Sequence, residues 1–191
     1  MLKSHFQKNI NEAGCDEVGR GCLAGPVVAA AVIFEKNYKN KNIVDSKKLS
    51  SQKRKNIEIE IKKDAICWAV ASLKNELVDK YNILNASIFA MHKALNKLEI
   101  KPEFIIVDGN KFKPYKKVKH ECIIKGDNKF LSIAAASIIA KNYRDNLMIQ
   151  LSKKHNQYFW NTNFGYPTKA HREAIIKFGI TKYHRKSFKL L

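Results

Sequence analysis

The chain has no hydrophobic run long enough to cross a bilayer. The apolar stretch over residues 23–34 falls short of the roughly 20 residues that a spanning helix needs. It also follows Glu12, Asp16 and Glu17, acids that the basic opening region of a secretion signal does not carry. A cytoplasmic protein with no membrane partner is the expectation. Cysteine is scarce. Cys15, Cys22, Cys67 and Cys122 form no Cys-x-x-Cys pair and have no histidine at zinc-finger spacing, which excludes a structural zinc module. They read as small apolar residues in a reducing compartment. No internal repeat, proline-rich linker or low-complexity tail interrupts the chain, and its 191 residues suit a single core. Acidic residues are few: 17 Asp and Glu against 36 Lys and Arg leave a net charge of +19. A polyanionic partner accounts for that excess, nucleic acid first and an anionic membrane surface second. A generally lysine-rich proteome is the alternative.

What is present is an alternation of strand and helix patterns. A first strand is expected at about 11–16 and a second at 27–34. Ser50 or Ser51 is placed to cap a helix carrying Ile57 and Ile61 at i, i+4 spacing. A third strand is expected over 65–73. Leu84, Ile88, Met91, Leu95 and Leu98 then form the stripe of one continuous helix over 77–98. Phe104-Ile105-Ile106-Val107 reads as a buried central strand ending at Asp108-Gly109, and Cys122-Ile123-Ile124 repeats the pattern before Gly126-Asp127. Small apolar residues over 131–140 suit a helix packed tightly on a sheet. Eleven Lys or Arg against Asp145 and Glu173 make the chain basic from Lys141 onward, with a loop over 161–168 and a last helix near 169–178. The pattern predicts an α/β sandwich with a basic, mostly helical C-terminal extension: a core over 1–145 and an extension over 146–191 packed on it as one structural domain.

The chemistry concentrates where apolar strands end in acid, at Asp16-Glu17, Asp108 and Asp127. Singly, each is an ordinary turn residue. Gathered at one end of a sheet, the four carboxylates would repel unless a divalent cation lay between them, and all-oxygen ligands select Mg²⁺ or Mn²⁺ over zinc or copper. Adjacent strand residues point to opposite faces, so Asp16 and Glu17 share an ion only where the strand bends. The Val18-Gly19-Arg20-Gly21 segment offers that bend, and its glycines let backbone approach a ligand closely. Such a site in a strongly basic chain points to a metal-dependent nuclease.

The segments Asp16-Glu17-Val18-Gly19-Arg20-Gly21, Asp45-Ser46-Lys47-Lys48-Leu49, Val107-Asp108-Gly109, Lys125-Gly126-Asp127, residues 132–141 and Gly165-Tyr166-Pro167-Thr168 occur in this order. The ordered set, from about residue 11 to the closing Tyr183-His184-Arg185-Lys186-Ser187-Phe188, resembles type 2 ribonuclease H (ribonuclease HII) of the bacterial kind. The resemblance implies an RNase H-like mixed β-sheet flanked by helices. It also implies hydrolysis of RNA in RNA–DNA hybrids, and nicking 5′ of single ribonucleotides embedded in duplex DNA, with 3′-hydroxyl and 5′-phosphate products. It assigns Asp16, Glu17, Asp108 and Asp127 as catalytic carboxylates holding two Mn²⁺ or Mg²⁺ ions in the substrate complex. Gly19, Arg20 and Gly21 would recognise the ribonucleotide 2′-hydroxyl, and Tyr166 would stack on the sugar at the RNA–DNA junction. A monomer is expected, with a sliding-clamp contact left open. Two departures stand out. Cys22 occupies a position where many relatives have proline. The acidic doublet begins at residue 16, which leaves no room for the extra N-terminal domain of type 3 enzymes.

The remaining candidates carry two readings each. Lys47 and Lys48 are either phosphate contacts or a solvated loop face. The lysines of residues 111–119, interleaved with Phe112 and Tyr115, either track a duplex backbone or form an exposed hairpin. His155 and His171 read as surface or helix-capping residues ahead of proton-transfer groups, and Trp68 and Trp160 as core. Two other functions stay open from the residues alone. A 3′–5′ exonuclease would usually begin with Asp-x-Glu rather than an adjacent pair, and a catalytically silent hybrid- or RNA-binding protein would leave the acidic strand ends unexplained.

Overall fold

The structure, a computed structural model, describes residues 2–7 and 9–191. Strand β1 (Glu12–Val18) sits at the centre of a five-stranded sheet of order β3-β2-β1-β4-β5, with β2 Val27–Phe34, β3 Ala65–Leu73, β4 Phe104–Asp108 and β5 Lys119–Ile123. The first three strands form an antiparallel meander, whereas β1–β4 and β4–β5 are parallel. A mixed sheet flanked by helices is therefore what the chain forms. β2 is buried at every residue because helices cover both of its faces. Its odd-numbered residues, with Ala13 and Cys15 of β1, pack on helix α2 (Asn75–Lys97). The even-numbered residues pack on α1 (Ser51–Asp64) and α3 (Leu131–Ser152). Alanines on both sides, Ala30 of β2 and Ala134, Ala135 and Ala136 of α3, let helix and sheet approach closely.

Ser50 caps α1, its hydroxyl accepting from the Lys53 N–H. The helix expected as continuous over 77–98 is broken. Asn82 adopts φ 62°, and its Oδ1 accepts the Asn85 N–H at 3.1 Å, so it ends one helical segment and caps the next. The Ile88, Met91, Leu95 and Leu98 stripe is buried as expected. β5 departs further from expectation. It is an edge strand whose Lys119 and Glu121 point to solvent, and Ile124 beyond it is 61% exposed. Asp127 consequently lies not at a strand end but in a 3₁₀ turn over Gly126–Asn128.

Helix α3 runs unbroken through position 145/146, where the core was expected to give way to the extension. Beyond it come α4 (Trp160–Asn163), α5 (Lys169–Phe178) and an irregular closing segment over 180–191. These pack on residues 22–25 around Trp160, Tyr158 and Met148.

Candidate active site

β1 and β4 run parallel, so their C-terminal ends bring Asp16, Glu17 and Asp108 to one edge of the sheet. The 3₁₀ turn after β5 adds Asp127. Its neighbour Gly126 donates its N–H to Asp108 Oδ1 at 2.6 Å, which ties the two acids together. Asp16 and Asp127 are buried, and Glu17 keeps 9% of its side-chain surface. The bend expected to unite Asp16 and Glu17 comes later than their positions. The β1–β2 ladder continues through Glu17↔Ala29 to Val18↔Val28, so the doublet keeps its pleat. Asp16 therefore meets Ser137 on the α3 face, while Glu17 enters a cleft of about 190 Å³ on the α2 face, lined also by Arg20, Ser87, Met91 and Asp108. Asp108 stands between the two. Among the described residues, no three His, Cys, Asp or Glu side chains are already drawn around one point as a coordination sphere.

The electrostatics record this crowding. Burial raises the Asp16 carboxyl well above the usual carboxylate range, and the charges of Glu17 and Asp108 raise it further. A hydrogen bond from Ser137 and the Glu17 N–H at 2.7 Å oppose the rise. Ser137 in turn bonds Ser46 at 3.0 Å, linking Asp16 to the Asp45–Leu49 segment. Burial also raises Glu17, against the pull of the Arg20 guanidinium 3.1 Å from Oε1. Its other oxygen, Oε2, is buried with no hydrogen-bond partner among the described residues. Burial raises Asp108 too, with Asp127 adding to the effect. A buried carboxylate oxygen left without a donor is costly unless something cationic completes it. The donor set is all oxygen and mutually repelling, which fits a hard divalent cation.

The glycine loop follows directly. Gly19 has φ 93°, and a side chain there would collide with the Arg144 guanidinium, so both conformation and space demand glycine. A Cβ on Gly21 would meet nothing within 4 Å; its surface is open to a ligand. Arg144 lies fully buried beneath the loop and donates to Pro26 O, Ala24 O and Phe164 O at 2.8–3.0 Å. Arg185, also fully buried, donates to Gly25 O and Arg20 O. Among the described residues neither forms a salt bridge, and both are internal clamps rather than the surface cations that their charge suggested. Nothing in composition distinguishes them; apart from Phe164 O, their partners are backbone carbonyls more than a hundred residues away.

The 164–168 turn docks on this loop through the Leu23 N–H to Gly165 O bond at 2.7 Å. Tyr166 is half-buried beside it, its ring faced by Lys141 and Arg144. Its hydroxyl meets the buried Cys22 thiol, and burial pushes the phenol up to about 12. Burial raises the Cys22 thiol as well, which suppresses the thiolate that oxidation would need.

Lys47 and Lys48 reach the same edge. Lys47 Nζ stands 3.9 Å from Asp127 Oδ2 with 82% of its side chain exposed, and Lys48 Nζ contacts Asn128 at 3.4 Å. Arg54 anchors their segment, donating to Leu49 O and Ser46 O and pairing with Asp145. The lysines of 111–119 face solvent while Phe112 packs on the core and Tyr115 is buried, so the aromatics anchor the turn and are not free to contact bases. His171 is neither a surface residue nor a cap. It is fully buried against Trp160 and His184. Trp160 is core; Trp68 is half-buried with the Lys62 ammonium 4.4 Å from its ring.

Known proteins share this arrangement over nearly the whole chain. A family model described as Ribonuclease HII matches residues 13–191. A protein named Ribonuclease HII from Christiangramia forsetii is 56% identical over 190 residues, covering 100% of this chain and 96% of that one. A second, from Parabacteroides distasonis, is 52% identical over 191 residues, covering 100% and 96%. Among solved structures, one described as the PCNA:RNase HII complex from Archaeoglobus fulgidus superposes with a TM-score of 0.80 at 27% identity, covering 95% of this chain and 96% of that one. With the fold, the acidic sheet edge and the sequence in agreement, the chain belongs to the ribonuclease HII family and is an endoribonuclease that cleaves the RNA of RNA–DNA hybrids.

Proposed function

We propose that the chain nicks duplex DNA on the 5′ side of single embedded ribonucleotides as well as cutting longer hybrids, leaving 3′-hydroxyl and 5′-phosphate ends. The observation that carries this reading is the proximity of two features. Desolvated, mutually repelling carboxylates with an unpartnered Glu17 oxygen lie beside a glycine loop whose Gly21 faces open space. In this reading Asp16, Glu17, Asp108 and Asp127 hold two divalent ions, Mg²⁺ or Mn²⁺, in the substrate complex. Bound there, divalent ions would supply the positive charge that phosphodiester hydrolysis needs at the attacking water and the leaving 3′-oxygen.

The chain's own groups do the rest. Backbone of Gly19, Arg20 and Gly21 reads the 2′-hydroxyl, the one group that separates RNA from DNA at a single site. Arg185 holds Arg20 O from below and Arg144 holds the Ala24 and Pro26 carbonyls that follow, so recognition does not require the loop to be ordered first. The Tyr166 ring stacks on the sugar that follows the ribonucleotide. Lys47 and Lys48 contact phosphate, and Ser137 keeps Asp16 oriented. The protein acts as a cytoplasmic monomer. No helix among the described residues is long and apolar enough to cross a membrane.

Incubation with Mg²⁺ and a duplex holding one ribonucleotide tests the reading. A single internal nick supports it. Stepwise shortening would indicate an exonuclease, and an intact strand a binding protein; either overturns it.

A further inference from the structure

We propose that His171 and His184 are positioning residues for ribonucleotide recognition: a neutral imidazole pair with fixed tautomers that sets the Tyr166 backbone against the glycine loop. This rests on the assignment of the glycine loop and the 164–168 turn to ribonucleotide recognition, not on stacking by the Tyr166 ring.

The hydrogen bonds fix every ring proton. His171 Nδ1 lies 2.9 Å from Tyr166 O, which only accepts, so the proton is on Nδ1. His171 Nε2 is then an acceptor, and the Trp160 indole N–H donates to it at 3.0 Å. His184 Nδ1 accepts the Thr181 N–H at 2.9 Å, so His184 carries its proton on Nε2, which points at His171 Nε2 at 3.2 Å and shares that single lone pair with the Trp160 N–H. All four ring nitrogens are used. A second proton on either ring would set N–H against N–H inside a dry core, since His171 is fully buried and His184 is 1% exposed.

The pair connects the two halves of the recognition surface. Tyr166 O is held at one end. At the other, His184 bridges to Ala24, the Arg185 N–H bonds Leu23 O at 2.8 Å, and the Arg185 guanidinium holds Arg20 O. The titratable and charged groups facing the rings are Tyr158 and His155 ahead of α4, Tyr166 of the turn through its carbonyl, and Arg172 of α5. They include no carboxylate to stabilise added charge. Burial pushes His171 down and His184 down to about 4, so the pair stays neutral at physiological pH.

The test separates the two halves of His171. His171→Asn keeps a donor for Tyr166 O but loses the acceptor for Trp160; His171→Gln does the reverse. The readout is the ratio of metal-free affinities for a duplex with one ribonucleotide and the same duplex in all DNA. At pH 7.5 His171→Gln should lose roughly three- to tenfold of that preference, about what one net hydrogen bond is worth, and His171→Asn should lose less. Equal losses, or none, overturn the proposal. A second measurement needs neither variant. In a Trp68→Phe background, Trp160 fluorescence reports the imidazole beside it as pH falls from 7.5 to 4, and the preference should fall together with that signal. A preference that stays unchanged after the Trp160 signal has moved, or one lost at the pH of an ordinary exposed histidine, overturns it. Tyr166→Ala keeps the two ideas apart. Loss in His171→Gln with none in Tyr166→Ala would refute the stacking role of the ring and leave the histidine pair standing.

Discussion

Replacing Arg185 with methionine should cost stability and leave the salt dependence of binding unchanged. The guanidinium is fully buried and gives three N–H bonds to two carbonyls: Nε and Nη2 to Gly25 O at 3.1 and 3.0 Å, and Nη1 to Arg20 O at 2.9 Å. No carboxylate among the described residues forms a salt bridge with it, and burial lowers its pKa to about 10 against the more distant charge of Asp79, so carbonyl dipoles are its direct hydrogen-bond partners. Methionine fills similar volume but leaves both carbonyls without this donor, at about 1–3 kcal/mol each. Removing a desolvated cation returns part of that cost, about 1 kcal/mol of a combined 4 or so, which leaves a net loss near 3 kcal/mol. For a chain of this length each kcal/mol moves Tm by about 2–4 °C, so Tm should fall by roughly 6–12 °C. Urea denaturation should give a lower midpoint at an unchanged m-value. A variant within about 1 kcal/mol of wild type would refute the internal-clamp reading. So would a flattened salt slope, which would mean that Arg185 reaches phosphate.

Lys182 and Lys186 flank this arginine and are exposed. If both lie on a nucleic-acid backbone, changing them together to alanine should reduce the log–log salt slope of duplex binding by up to about 1.8; an unchanged slope returns them to a general lysine bias. Asp16→Asn should abolish cleavage yet spare the metal-free fold. Burial, then Glu17 and Asp108, raise the Asp16 carboxyl, so its contribution to stability is fullest below an ordinary aspartate pKa and is lost as pH rises toward the folded value. Metal-free wild type should therefore lose Tm between about pH 4 and pH 7 more steeply than Asp16→Asn does. Parallel profiles would count against the crowded-carboxylate reading. Tyr166→Ala should depress nicking at a single ribonucleotide far more than cleavage of a continuous hybrid, and Tyr166→Phe should keep much of the activity. Equal reductions on both substrates for folded Tyr166→Ala protein would reduce Tyr166 to a packing residue.

Local pattern was enough to read the elements whose own side chains decide them. β2 over Val27–Phe34, β3 over Ala65–Leu73 and α5 over Lys169–Phe178 are where apolar periodicity and capping place them. Asp16, Glu17 and Asp108 were legible for the same reason, since an acid ending an apolar strand is a local signal. The sequence also carried the family, through short motifs in a fixed order. It could not show that β5 lies at the sheet edge, because that depends on which strand finds a partner, nor that Asp127 arrives on a 3₁₀ turn. It could not show the break at Asn82, where a capping bond outweighs helical continuity. Above all, composition counts Arg144, Arg185, His171 and His184 as polar, yet all four lie in the interior. What takes them inside is a set of partners, Ala24 O, Gly25 O, Arg20 O, Tyr166 O and Trp160 Nε1, that exist only once the loops after β1 and α4 and the closing segment have come together. Burying a polar group is favourable only where its hydrogen bonds are met, and those bonds are a property of the tertiary structure.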